Sequence, residues 1–147
     1  MMEAMDAQTE DDLIRDILTS VRTIALVGAS DDPSRDSNDV MAFLMARGYD
    51  VFPVNPASRA QEIHGRKVYA SLADVPEPID MVDVFRRSEV AGEVCDDAVA
   101  AGAKVVWMQL DVINEAGKQR AEAAGLRVVM DRCPKIETRR LAIPPRR

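Results

Sequence analysis

Histidine is almost missing from this chain, with a single residue, His64, among 147. One imidazole removes most His-based metal sites and any Ser-His-Asp triad that does not use it. Cysteine is nearly as scarce: Cys95 and Cys133 are neither closely paired nor accompanied by partner histidines, so they suit neither a zinc site nor a disulfide framework. No apolar run approaches the roughly 20 residues that cross a bilayer. The opening MMEAMDAQTEDDLIRD is acidic where a targeting peptide would be basic, so a cytoplasmic protein that does not enter membranes is expected. Basic excess is lacking too. The formal net charge is −6, whereas coating a nucleic-acid backbone takes a basic face, so no nucleic-acid partner is expected.

What is present is the balance of a globular domain, 47% apolar and 30% charged, on a chain long enough for one continuous core. The runs TIALVG, YDVFPVNP, IDMVDVF, AKVVWMQL and LRVVMD have strand length, and the near-unbroken apolar character expected of strands covered on both faces. Between them lie helical segments. DVMAFLMARG ends on Gly48, SEVAGEVCDDAVAAG starts on Ser88 as its expected N-cap and ends on Gly102, and NEAGKQRAEAAG runs from a capping Asn114 to Gly125. Only EIHGRKVYASLADVPEP reads weakly, as a loop, a short extended piece and a helical turn near Leu72.

Strands alternating with helices build βαβ units. The expected fold is α/β, a Rossmann-like three-layer doubly wound parallel sheet of about five strands. Residues 1–22 are expected to form an acidic helical extension, with Leu13, Ile14, Ile17, Leu18 and Val21 at helical spacing for packing on the flank. Residues 23–141 form the domain and 142–147 an irregular Pro/Arg tail.

Such sheets bind ligands outside the carboxyl ends of their strands, where strand order reverses. Those ends are Gly28, Ala29 and Ser30; Val54, Asn55 and Pro56; Val84, Phe85 and Arg86; Trp107, Met108 and Gln109; and Asp131, Arg132 and Cys133. In ALVGASDDPSRDSN, Gly28 can take the tight turn, and Ala29 and Ser30 are small enough for a phosphate to approach their N–H groups. Ser30 and Ser37 add hydroxyls, Arg35 adds a charged fork, and the helix beginning near Asp36 or Ser37 points its N-terminus to the same place. A dinucleotide fingerprint would want glycine at positions 28, 30 and 33, where the chain has Gly28, Ser30 and Pro33. The acid that would hold an NAD ribose is replaced by Asn55, and Asp50 precedes its strand. A P-loop signature is absent. Nicotinamide dinucleotide binding, as in an NAD(P)-linked oxidoreductase, is the alternative reading.

The stretches VGAS…PSRDS, GYDVFPVNP, EIHGRKVYASLADVPEPIDMVDVFRRSE, GAKVVWMQLDVINEAG and GLRVVMDRCPKIE together resemble the small stand-alone CoA-binding proteins, which are similar to the CoA-binding domain of the succinyl-CoA synthetase α-subunit. The likeness spans about residues 23–141. It implies coenzyme A or an acyl-CoA as ligand, with its diphosphate or ribose phosphate on Gly28, Ala29 and Ser30 helped by Arg35. Asn55 and Pro56 would border the nucleotide, Val84, Phe85 and Arg86 would wall the cleft, and Trp107, Met108 and Gln109 would close its far side. It assigns no catalysis to His64, so the expectation is binding without ligation, as a sensor, carrier or regulatory module. Cys95 reads as inert packing. Cys133 follows a strand end between Arg132 and Lys135, a setting in which it could form a mixed disulfide with the CoA thiol.

Overall fold

The computed structural model describes residues 7–146. Its main sheet consists of β1 (Thr23–Val27), β2 (Asp50–Val54), β5 (Met81–Val84), β6 (Val105–Met108) and β7 (Arg127–Val129), all parallel, in the order β2-β1-β5-β6-β7. Helices α1 (Ala7–Ser20), α2 (Asp36–Ala46), α3 (Ser88–Ala100), α4 (Glu115–Ala123) and α5 (Pro134–Arg140) complete a Rossmann-like α/β fold.

Side-chain alternation along the strands sorts the core into two layers. Ile24, Leu26, Met81, Val105, Trp107 and Val129 pack with α1 and α2 on one face; Ala25, Val27, Val82, Val84, Val106 and Met108 pack with α3 and α4 on the other. Trp107 therefore belongs to the interior. It is fully buried, and its indole N–H donates to the Arg132 carbonyl at 2.7 Å.

Of the helix caps and stops expected from the sequence, all but Ser88 take their places. Gly48, Gly102 and Gly125 take positive φ just beyond α2, α3 and α4, and Asn114 caps α4 by accepting from the Gly117 N–H at 2.8 Å. Ser88 is not the expected N-cap. It is the first helical residue of α3, Arg87 occupies the cap, and the Ser88 hydroxyl turns outward to accept from the Ile113 N–H (2.9 Å) and donate to the Asp111 carbonyl (3.1 Å). The loop after β6 competes successfully for a hydroxyl that the local pattern assigned to the helix.

Between β2 and β5 the chain makes no α-helix. It forms a hairpin of β3 (Glu62–Ile63) and β4 (Arg66–Lys67), then a 3₁₀ turn over Leu72–Asp74. The short extended piece expected there is thus two strands paired with each other, fastened to the sheet edge by Ile63 (2% exposed) and by a bridge between Val54 and Tyr69.

Helix α1 packs on the same core as the sheet: Ile14, Ile17 and Leu18 are fully buried in the cluster containing Ile24 and Leu26. Residues 1–6 of the expected extension, and Arg147 of the expected tail, lie outside the described residues. From the tail, Ile143 is buried and Arg146 donates through its backbone N–H to the Arg47 carbonyl at 2.7 Å. Truncating Ile17 to alanine should remove about 2–5 kcal/mol of stability, as large-to-small changes in a closed core do. Urea unfolding measures this, and a loss below about 1 kcal/mol would mean that α1 is only a peripheral flap.

Candidate functional site

Strand order reverses between β1 and β5, since α2 leads from β1 to β2 on one side and the chain then returns to β5 on the other. At their carboxyl ends Gly28 meets the end of β5 closely. Its φ is +95°, and a Cβ built there would lie 2.2 Å from the Phe85 carbonyl oxygen. Only glycine fits both constraints.

The loop leaving Gly28 is held from behind by two side-chain amides. Asn55 Nδ2 donates to the Ala29 carbonyl (2.8 Å), and Asn38 Nδ2 donates to the Ser30 carbonyl (2.9 Å). All peptide bonds described are trans, so each N–H points opposite to the carbonyl of its own peptide unit. The tethers thereby turn the Ser30 and Asp31 N–H groups away from Asn55 and Asn38, and among the described residues neither N–H takes a protein acceptor. Two consecutive unclaimed amides near a helix N-terminus are donors that an anion can use.

Gly28, Ala29, Ser30, Arg35, Ser37, Asn55, Phe85 and Arg86 line one cleft of about 560 Å³. Ser37 is mostly buried there, and its hydroxyl has no hydrogen-bond partner among the described residues. Arg35 stands exposed at the start of α2. Asp32 is the loop's internal turn-former: its carboxylate accepts from the Ser34 N–H (2.9 Å) and hydroxyl (2.7 Å), which holds it below the usual carboxylate range.

Two further cavities flank this cleft. One, of about 540 Å³, lies over Val27, Val54, Pro56, Leu72 and Ile79. The other, of about 450 Å³, is walled by Val40, Phe85, Gln109, Leu110, Ile136 and Cys133. Arg86 borders all three, is half-buried, and its guanidinium has no protein acceptor among the described residues.

Eleven of the residues named from sequence border these cavities: eight in the cleft, Val54 and Pro56 in the first flanking cavity, and Gln109 in the second, where Cys133 joins them. Three do not. Val84, Trp107 and Met108 are fully buried and border none of the three, because near the sheet's carboxyl edge their side chains still point into the packed layers. Asn55 borders the cleft, but its amide is committed to the loop, donating to Ala29 and accepting from the Ala57 N–H at 2.8 Å. It acts on the loop, so its identity speaks only indirectly about a ribose phosphate. Asp50 starts β2 and is ion-paired to Arg66 at 2.6 Å.

Sequence reasoning passed over two residues. Asn38 is the first; its signal is a polar residue in the first turn of α2, directly after the loop at Gly28. Asp83 was read as part of an apolar strand, though a carboxylate in the middle of such a run is itself anomalous. It is fully buried, and with the Gln109 amide turned so that its NH2 faces inward, Gln109 donates to both Asp83 oxygens (2.8 and 3.2 Å). Burial pushes the Asp83 carboxyl well above its ordinary range, just as it pushes the Cys95 thiol up to about 11. Among the described residues no cluster of three His, Cys, Asp or Glu is placed to hold a metal ion, and no helix is long and apolar enough to cross a membrane.

The sequence profile of a CoA binding domain matches residues 22–139. The chain is 39% identical to the uncharacterised protein YneT of Bacillus subtilis (strain 168), over 84% of this chain and 90% of that one. It is 43% identical to a hypothetical protein of Pyrococcus horikoshii OT3 of known structure, with a TM-score of 0.87 and coverage of 97% and 99% of the two chains. A third relative is the α-subunit of ADP-forming acetate–CoA ligase I of Pyrococcus furiosus, 29% identical over 69% of this chain; the match spans only 23% of that subunit.

Because the folded-state pKa of Asp83 is raised above the unfolded value near 3.8, the native state holds a proton that the unfolded chain has released. Its contribution is complete at lower pH and is lost as pH rises from about 4 through the folded pKa. Asp83→Asn should therefore gain stability relative to wild type as pH increases above 4, in chemical unfolding at a series of pH values. A difference that stays flat, or shrinks, with rising pH would mean the carboxyl is ionised in the native protein.

Proposed function

Because the chain belongs to the CoA binding domain family, we propose that it binds coenzyme A or an acyl-CoA in the cleft at the β1/β5 switch point. The observation that carries this reading is the Arg86 guanidinium, half-buried, without a protein acceptor among the described residues, and lining three cavities at once. A half-buried cation with no partner is costly unless an anion is brought to it. The Ser30 N–H, the Ser37 hydroxyl and Arg35 supply donors beside it, on a chain whose overall charge is −6. Local donors thus offset an unfavourable overall field.

A phosphate group sits on the loop and Arg86 in this reading, and the two flanking cavities take the two arms of an extended ligand. Coenzyme A has that form: a phosphorylated nucleoside and a pantetheine chain joined by a diphosphate. An NAD reading fares worse. The side chain at the end of β2 is an amide already tied to the loop, and Asp50 is ion-paired at the other end of that strand. A role as sensor, carrier or thiol-protecting partner fits such binding.

Coenzyme A should raise the melting temperature in a concentration-dependent way, with NAD, NADP and FAD leaving it unchanged. Arg86→Ala should weaken coenzyme A binding in calorimetry by about tenfold or more, the worth of a charge-assisted hydrogen bond. Stabilisation by NAD and not by coenzyme A would transfer the assignment to the nicotinamide class.

The Cys133 thiol borders the second flanking cavity, so a ligand thiol entering there would meet it. In exchange with CoA disulfide, the Cys133 thiolate attacks one sulfur, the mixed disulfide forms, and one CoA leaves as thiolate and takes up a proton. Intact mass should show one CoA adduct on wild type and none on Cys133→Ser. Equal labelling of the two proteins would remove Cys133 from the reading.

A further inference from the structure

The turn joining β3 to β4 contains two residues, His64 and Gly65, with φ of +49° and +77°. Positive φ at both central residues is the hairpin geometry that favours Asn, Asp or Gly at the first position. Histidine stands there instead, and its ring reaches across to α2. Nε2 lies 3.0 Å from the Asn38 carbonyl oxygen and 3.1 Å from Asn38 Oδ1. Both neighbours are acceptors, so Nε2 carries the hydrogen. The orientation of the Asn38 amide follows from its other end: Nδ2 donates to the Ser30 carbonyl, which leaves Oδ1 for the imidazole.

The hairpin is a firm mount for this contact. Ile63 is buried in the core, Arg66 pairs with Asp50 at 2.6 Å, and the Arg66 guanidinium lies 4.7 Å from the centre of the Phe52 ring. Asn38 is itself only 7% exposed. A continuous chain of donors thus runs from the hairpin to the ligand loop, from imidazole to Asn38 amide to Ser30 carbonyl.

We infer that His64 is a positioning residue for ligand binding: through Asn38 it holds the Ser30–Asp31 peptide, and with it the loop that sets Ser30 in the cleft. The inference rests on the coenzyme A reading for its ligand, and on the hydrogen-bond geometry alone for its mechanism. Without the imidazole, the Asn38 amide keeps one partner and can rotate, and the Ser30–Asp31 peptide gains freedom that binding must then remove.

His64→Asn separates this role from hairpin stability, because asparagine suits the turn but is too short to make the same reach. Calorimetry should show coenzyme A binding weakened about three- to tenfold, the worth of one ordinary hydrogen bond. The melting temperature of the ligand-free protein should stay within about 2 °C of wild type. In an Asn38→Ala background, His64→Asn should have no further effect. NMR order parameters of the Ser30 and Asp31 N–H groups in ligand-free protein should fall in His64→Asn and Asn38→Ala alike. Wild-type affinity in His64→Asn, or an equal loss with and without Asn38, overturns the inference. If wild type itself fails to bind coenzyme A, the ligand reading falls, and the order parameters alone decide the role of His64: values unchanged from wild type overturn it.

Discussion

Everything at the candidate site depends on the contact between Gly28 and the Phe85 carbonyl. With room there for no Cβ, the exits of β1 and β5 approach as closely as two backbones can. That approach puts the loop after β1 against Phe85 and Arg86, residues more than fifty positions away in the chain. A larger residue would push the two exits apart and separate the backbone donors of one strand end from the guanidinium of the other.

Around that contact the protein uses side-chain amides as struts. Asn55 and Asn38 both spend their NH2 groups on carbonyls of the loop after β1, and the trans peptide turns the N–H of each held unit away from its strut. The loop is thus fixed in place with a single glycine. Glycine-rich loops gain close approach through small size and permissive dihedrals, whereas this loop is constrained by hydrogen bonds from outside. Asp83 and Gln109 form a second polar pair beneath the carboxyl edge, in a layer otherwise built from Leu26, Met81 and Trp107. Donation from the Gln109 amide offsets part of the cost of burying that carboxyl.

Much of the architecture was legible because it is written in local patterns. Continuous apolar runs ending in small or polar residues mark parallel strands, and glycines mark the ends of α2, α3 and α4. The switch-point rule then directed attention to residues 28–30 and 85–86, which do come together. Trp107 and Met108 illustrate where that rule is too coarse. It ranks residues by position along a strand, but whether a side chain points into a layer or over the edge is decided by the last residue's place on the pleat and by what packs above it. Ser88 failed for a related reason: a hydroxyl can satisfy a helix end or a neighbouring loop, and only the packed structure brings the loop at Asp111 and Ile113 within reach.

The sequence by itself determined the strands, most helix limits and the one-glycine loop, because these rest on dihedral preferences and hydrophobic periodicity among near neighbours. Only the tertiary structure decided what the polar residues do. Asn55 became a strut, Asn38 a relay, His64 its anchor and Asp83 a buried partner of Gln109. Arg86 was left without a protein acceptor among the described residues. A hydrogen bond or an ion pair needs two groups within about 3 Å, and residues 26 positions apart, as His64 and Asn38 are, meet at that distance only after the sheet edge, the hairpin and α2 have been assembled.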